Sequence, residues 1–370
     1  MARILLEGIS KRFGDTVALK SLDLEVQEGE FLSLLGPSGC GKTTTLRIIA
    51  GLERPTTGEV YFDDRPVTAL PPAERRIAMV FQLNALYPYM TVWENIAFPL
   101  RAQRLSRGEI RRRVESVAEM LGISSLLGLP AAQVHAADGQ RVAIAKAIAS
   151  EPSAFLLDEP FSHLDAPMRA RMRAELKHLH ETVGRTMLFV THDQAEALAL
   201  SDRIAVMRQG ELVQLGTPEE VFHRPTDRYV AEFIGTPPIN LFSVTLQAEG
   251  DRLWGVVPSG GRFRLPDSWR RLGLPIQVLL GIRPRRVRLH PSPAGTPGDR
   301  RLLGTVEVLE PMGRERLHHV RVGENLEVRA MLPQDRSFSE GSSVLLELPP
   351  EHLLVFDPVS GRRIEEKGER

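Results

Sequence analysis

The sequence predicts two domains: an α/β domain whose largely parallel sheet is covered by helices and interrupted by a helical subdomain, then a small all-β barrel. Three observations predict this. Residues 1–235 alternate short apolar runs with amphipathic stretches at helical spacing, the pattern of strands feeding crossover helices. Between about residues 84 and 150 the strand-like runs disappear and helical periodicity remains. From about Ser243 onward, short strand-like segments alternate with glycine and proline turns.

Composition sets the outer limits. The 370 residues are 42% apolar and 25% charged, which is enough chain for two cores. Lysine plus arginine and aspartate plus glutamate number 47 each, so no global field points to nucleic acid as a partner. The single cysteine, Cys40, excludes an internal disulfide and a cysteine metal cluster and fits a reducing compartment. The opening MARILLEGISKRFG lacks the long apolar core of a signal peptide, and no apolar run reaches about eighteen residues, so the chain is not expected to span a membrane itself.

In the first domain, Phe31 to Leu35, Ala154 to Leu157, Met187 to Thr191 and Arg203 to Met207 read as strands. Ser106 and Glu109 read as a capping box opening a helix on which Ile110, Val114, Val117 and Leu121 share one face. The arginines nearby, Arg101, Arg104, Arg107 and Arg111 to Arg113, admit a nucleic-acid patch or a solvated helix face, and the second is preferred. GTPEEVFHRPTDRYVAEFIGTPPINLF carries a short helix and several prolines and reads as a linker into the second domain, residues 236–370. There Gly304 to Leu309, His318 to Val322, Leu326 to Ala330 and Val344 to Leu348 are the barrel strands.

The chemistry begins where FLSLL runs into Gly36-Pro37-Ser38-Gly39-Cys40-Gly41-Lys42-Thr43 and then the helical TTLRIIAGL. This is the strand, glycine loop, helix order in which backbone amides converge on phosphates at a helix N-terminus. Residues Gly36 to Thr43, with Thr44, are therefore candidate ATP ligands. Lys42 would reach the β- and γ-phosphates, and the Thr43 hydroxyl would sit on Mg²⁺. The second half of the site is an apolar strand ending in Asp158-Glu159-Pro160. Asp158 would hold Mg²⁺ through its water shell, and Glu159 would polarise the attacking water.

GPSGCGKT, VFQ, LLDEP, SHLDA and VTHDQAEAL follow the order and spacing of the ABC ATPases over nearly all of residues 1–235. On that resemblance the first domain is identified as a P-loop NTPase of ABC type. The resemblance implies that Gln82 touches Mg²⁺ or the lytic water and senses a docked membrane subunit. It implies that Asp165 lies on the loop crossing between two protomers, and that His192 is the switch histidine contacting the γ-phosphate. Phe13, in KRFGDTVAL, resembles the aromatic that stacks on adenine; the alternative is a strand-edge core residue. His163 stands in SHLDA where the family usually has asparagine.

ABC ATPases act as head-to-tail pairs, each ATP lying between one protomer's phosphate loop and the other's signature, normally Leu-Ser-Gly-Gly-Gln. Counting back from Arg141-Val142-Ala143-Ile144-Ala145, the five signature positions here read Val134-His135-Ala136-Ala137-Asp138. A second register, Ala136-Ala137-Asp138-Gly139-Gln140, needs two residues deleted and turns the following helix by about 200°. The ungapped one is preferred. In it the hydroxyl donor and both glycines are lost, and Asp138 brings negative charge toward a polyanion. The second ATPase is then a paralogue with an intact signature, the preferred reading, or a second copy of this chain with the same defect.

LNALYPYMTVWENIAFPL resembles the surface of import-type ATPases that receives a coupling helix from each of two transmembrane permease subunits. GIRPRRVRL, VEVLEPMGRERLHHVRV and FDPVSGRRI resemble the OB-like (TOBE/MOI-type) regulatory domain of carbohydrate-uptake ATPases of the maltose and glycerol-phosphate importer type. The resemblance implies an ATP-hydrolysing subunit, peripheral on the cytoplasmic face of the cell membrane. It would energise import of a sugar or glycerol phosphate delivered by an external solute-binding protein, with no nucleic-acid partner. The alternatives are a polyamine, iron or sulfate importer, or a catalytically weak regulatory subunit paired with an active paralogue.

Overall fold

A computed structural model describes residues 2–82, 85–258, 261–272, 276–292, 299 and 301–364. The chain divides into two compact units, Met1–Val221 and Phe222–Arg370.

The strands of the first unit are Ile4–Phe13 (β1), Thr16–Val26 (β2), Phe31–Leu35 (β3), Thr57–Phe62 (β4), Arg65–Pro66 (β5), Ile77–Val80 (β6), Ala154–Asp158 (β7), Thr186–Thr191 (β8), Arg203–Arg208 (β9) and Glu211–Gly216 (β10). They form a four-stranded antiparallel sheet, β2-β1-β4-β5, and a six-stranded sheet, β10-β9-β3-β8-β7-β6. In the larger sheet β9, β3, β8, β7 and β6 run parallel and β10 closes one edge antiparallel. Every residue of β3, β7 and β8 is buried, which is why these segments read as unbroken apolar runs rather than alternating ones. Successive residues serve opposite layers. Phe31, Phe155, Leu157 and Phe189 pack on the helical side, whereas Leu32, Leu34, Leu156 and Leu188 join Ile4, Leu6 and Leu22 of the antiparallel sheet.

The helices follow from their caps and faces. Lys42–Ala50 (α1) leaves the phosphate loop, and Val92–Ala102 (α2), Arg107–Met120 (α3) and Ala136–Ala149 (α4) make the helical subdomain. Ala166–Val183 (α5) and Gln194–Leu200 (α6) complete the unit. The Ser106/Glu109 box is half present. Ser106 Oγ accepts from Glu109 N at 3.2 Å, but the Glu109 carboxylate turns to Arg112 and Arg113 at 2.6 and 2.7 Å. Two guanidiniums three and four residues on outcompete one backbone amide for that carboxylate. Ile110, Val114 and Val117 are buried as their spacing requires, and Leu121 packs on the same core just past the helix end. Arg111 pairs with Glu115 at 2.8 Å, the arrangement of a solvated face.

Among the described residues, the second unit forms two five-stranded antiparallel sheets. The four barrel strands expected from sequence all lie in one of them, as Arg301–Met312, Glu315–Val322, Leu326–Pro333 and Ser343–Glu347. The other is centred on Asn240–Glu249, so strand structure begins slightly ahead of Ser243. Phe242, Phe263 and Leu280 from one sheet meet Val306, Val320 and Leu346 from the other in a shared core. Residues 222–235, assigned from sequence to the first domain, pack with this unit instead. Ala231 clusters with Ile239 and Phe356, and the Arg283 guanidinium donates to the carbonyls of Phe222, Ala231 and Ile234.

Candidate functional site

The phosphate loop is shaped by two close approaches. A Cβ on Gly36 would come within 2.6 Å of the Met207 carbonyl oxygen, and one on Gly41 within 2.8 Å of the Ala18 carbonyl oxygen. Gly41 also caps α1 at φ 106°, a conformation that side chains disfavour. Lys42 is buried and donates to the carbonyls of Gly36 and Pro37 at 2.8 and 2.9 Å. Cys40 is buried beneath the loop, and burial pushes its thiol pKa up while Lys42 opposes that shift. At the far end of α1, the buried Arg75 donates to the carbonyls of Ile48 and Ile49 at 2.8 and 2.9 Å. It satisfies orphan carbonyls where the helix dipole favours a cation. Arg75 escapes a motif reading because its partners are backbone atoms.

Asp158 ends β7 beside the loop, and Thr43 Oγ1 donates to its carboxylate at 3.0 Å. Burial raises the Asp158 pKa, with the Thr43 hydrogen bond opposing. Glu159 follows with φ 43°, an uncommon value for a non-glycine residue, and its carboxylate lies 3.0 Å from His192 Nδ1. His192 sits just past β8 and Glu159 just past the adjacent parallel strand β7, so strand pairing brings the two together. Asp165 caps α5, its carboxylate accepting from Met168 N at 2.9 Å. His163 and Gln82 are exposed, Gln82 shortly after β6. Phe13 is 47% exposed at the end of β1 rather than packed in the core, with Lys11 Nζ 4.7 Å over its ring.

The segment Val134 to Asp138 opens α4. His135 is the N-cap and makes no side-chain capping bond; Ala136, Ala137 and Asp138 form the first turn. Arg141, which in the sequence serves only to fix the register, donates to Asp138 at 3.1 Å and to Glu175 at 2.7 Å. Gln140 is buried at 2% exposure. Among the aromatic stretch before and within α2, Tyr87, Tyr89 and Phe98 are exposed, while Leu86 and Trp93 pack against the core. Leu83 and Asn84, which open that stretch, lie outside the described residues. Behind it a crevice of about 700 Å³ is bordered by Phe81, Ala85, Pro99 and Lys146. Lys146 stands 4.5 Å over the Tyr87 ring and donates to the Ala85 carbonyl at 3.2 Å. No helix of the described residues is long and apolar enough to cross a membrane.

Residues 19–162 match the ABC transporter family model and residues 280–356 the TOBE domain model. The trehalose/maltose import ATP-binding protein MalK of Thermococcus litoralis is 43% identical over 378 residues, spanning 98% of this chain and 100% of the relative. The sn-glycerol-3-phosphate import ATP-binding protein UgpC 2 of Agrobacterium fabrum is 41% identical, spanning 100% of this chain and 96% of the relative. Among solved structures, a dimeric ATP-binding cassette bound to ADP and Pi is 34% identical with a TM-score of 0.53, covering 58% of this chain and 98% of that one. The cbiO1 protein of Clostridium perfringens, part of an ABC transporter complex, is 28% identical with a TM-score of 0.56, covering 59% of this chain and 89% of that one. A glycine loop of this shape, the paired acids beside it and full-length relatives above 40% identity place the chain in one family: it belongs to the ABC transporter ATPases that carry a TOBE domain.

Proposed function

We propose that the chain binds Mg²⁺-ATP on the loop Gly36 to Thr44, hydrolyses it through Glu159, and thereby energises import of a sugar or a glycerol phosphate. The observation that carries this reading is the meeting of two acids with two partners. Asp158 is 3.0 Å from the Thr43 hydroxyl, and Glu159 is 3.0 Å from His192.

The donor set suits Mg²⁺. Thr43 and Asp158 offer hard oxygen donors, and no group of three or more His, Cys, Asp or Glu among the described residues competes as a metal cage. Mg²⁺ commonly takes one or two protein oxygens and completes its shell with phosphate and water. When bound, it neutralises charge on the β- and γ-phosphate oxygens. Lys42 exchanges its loop carbonyls for phosphate oxygens, which are stronger acceptors for an ammonium. His192 orients the Glu159 carboxylate, which accepts a proton from the attacking water. The His192 side chain is 54% exposed, so its other ring nitrogen is free to face a γ-phosphate. Gln82 is the sensor of metal and docked subunit, and Phe13 offers an exposed face for adenine.

The names of the relatives, trehalose/maltose and sn-glycerol-3-phosphate import proteins, support the solute class. The exposed aromatics Tyr87, Tyr89 and Phe98 beside the crevice support docking of two transmembrane permease subunits. The chain then works peripherally on the cytoplasmic face of the membrane, with an external binding protein delivering solute.

The chain pairs with a second ATPase, and α4 closes over the partner's nucleotide with Asp165 at the crossing. The ungapped signature register is supported by His135 standing as the N-cap of α4 and by the burial of Gln140, which the other register would need on the presented face. The uncapped His135 favours a second reading, a subunit whose signature face closes weakly and whose partner is an active paralogue. Glu159→Gln in the purified transporter complex tests the main reading. ATP turnover should fall at least ~100-fold with ATP binding retained. Transport at an unchanged rate would mean that this subunit's site is not the motor.

A further inference from the structure

Within the second unit, a cavity of about 690 Å³ opens between residues 222–237, the turn at Arg283–Arg286 and residues 350–355. Its size falls in the range of small-molecule sites. Its chemistry is one-sided. Five arginines and two histidines line it, against one carboxylate, the exposed Glu351, among the described residues.

The bases lie at different depths. Arg283 forms part of the wall, stacked 4.5 Å from the Phe222 ring, with its Nη atoms spent on three carbonyls. Burial lowers its pKa to about 10, which still leaves it cationic at neutral pH, and its buried Nε meets no acceptor. Arg285 is held by Glu315. Arg286 has no carboxylate partner among the described residues; its Nη1 faces His352 Nε2 at 3.4 Å. Burial first, and then Arg286, keep the His352 imidazole pKa below its ordinary value. The uncharged imidazole accepts from a guanidinium that has no carboxylate, and a phosphate placed beside them would pair with Arg286 and favour protonation of His352. Trp269, Pro237 and Leu353 supply apolar wall beside them.

We infer that this cavity binds a small phosphomonoester, its phosphate on Arg286 and His352 and its carbon skeleton against Trp269. A dianion matches a lining in which bases outnumber acids, and the planar Arg286 guanidinium fork matches phosphate oxygens. The cavity is larger than one phosphate needs, and the apolar wall accounts for the remainder. This inference goes beyond the transport reading. It concerns the second unit alone and stands whether or not the imported solute carries phosphate.

The test uses the full chain carrying Lys42→Ala, which removes the loop ammonium that would also attract phosphate. Inorganic phosphate, glycerol 3-phosphate and glucose 6-phosphate are titrated calorimetrically, with glycerol and glucose as neutral controls. The phosphates should bind saturably and the controls should not. Arg286→Gln should weaken binding at least tenfold with an unchanged melting transition. Arg252→Gln, which removes the same charge from an exposed pair with Asp299, should change it less than twofold. If Arg286→Gln does not fold, His352→Gln serves in its place. Esters binding tighter than free phosphate assign the site to the ester, and equal binding assigns it to the phosphate group alone. Absence of saturable binding, equal binding of the neutral controls, or equal losses in the Arg286 and Arg252 variants would overturn the inference.

Discussion

Asp158 closes a strand whose five residues are all buried, and it is itself only 7% exposed. Burial lifts its pKa further than the Thr43 hydroxyl lowers it. A carboxyl whose folded pKa is raised contributes stability that is complete below the unfolded value and is lost as pH rises through the folded value. At neutral pH the ionised group is therefore a cost to the fold, one that the proposed Mg²⁺ role beside Thr43 would account for. Asp158→Asn should stabilise the protein by about 1 kcal/mol in thermal unfolding without nucleotide, as relief of functional strain commonly does. The gain should shrink as pH falls into the carboxylate range, where the wild-type group is protonated, and Mg²⁺-dependent ATP turnover should collapse. A lower melting temperature for the variant at pH 7 would contradict this account. The sequence carried the position of this acid, since an apolar strand ending in Asp-Glu follows a phosphate loop. It did not carry the His192 contact with Glu159, which depends on adjacent parallel strands ending at the same level.

At the scale of elements, Thr91 and Glu94 form the complete capping box that Ser106 and Glu109 only half form. Thr91 Oγ1 accepts from Glu94 N at 3.1 Å, and the Glu94 carboxylate accepts from Thr91 N at 2.9 Å. The two four-residue patterns are alike, and what separates them is the pair of arginines that draws Glu109 away. The sequence emphasised the aromatics around Thr91 and so passed over its cap. The cap matters for the proposed docking surface because Asn95, one turn into α2, is fully buried and bonds both the amide and the carbonyl of Tyr87. Thr91→Ala should cost about 1 kcal/mol in denaturant unfolding, the usual loss for a cap. The bond from the Thr91 amide lowers the Glu94 pKa. Its contribution is thus present above the unfolded glutamate value and lost as pH falls through the folded one. Glu94→Gln should remove that acid-side dependence of stability, and an unchanged pH profile in the variant would show that the box carries no charge-dependent stabilisation.

The molecule as a whole poses the question of what closes over the phosphate loop. The order of motifs made the parallel sheet legible, because four of the five motifs stand at the ends of β3, β6, β7 and β8, whereas the antiparallel sheet of β1, β2, β4 and β5 was not read from the sequence. Charge compensation at the signature was not legible. Asp138 reads as a negative charge offered to a polyanion, yet Arg141 holds it at 3.1 Å and is itself shared with Glu175. On the proposed signature role, the weakness lies less in the acid than in the missing hydroxyl and glycines, since His135 makes no side-chain capping bond and Ala136 and Ala137 carry Cβ atoms where the proposed closure wants close backbone approach. Restoring all five positions, with Val134→Leu, His135→Ser, Ala136→Gly, Ala137→Gly and Asp138→Gln, should raise ATP turnover of the isolated chain at least ~10-fold, the scale of one or two recovered phosphate contacts. The gain should grow with protein concentration, because two copies must meet. Asp138→Gln alone should recover little, since Arg141 already offsets that charge. A restored chain no faster than wild type at any concentration would mean that α4 is not the limiting face. A wild-type chain already as fast would remove the need for a paralogue, leaving two copies of this chain as the working pair.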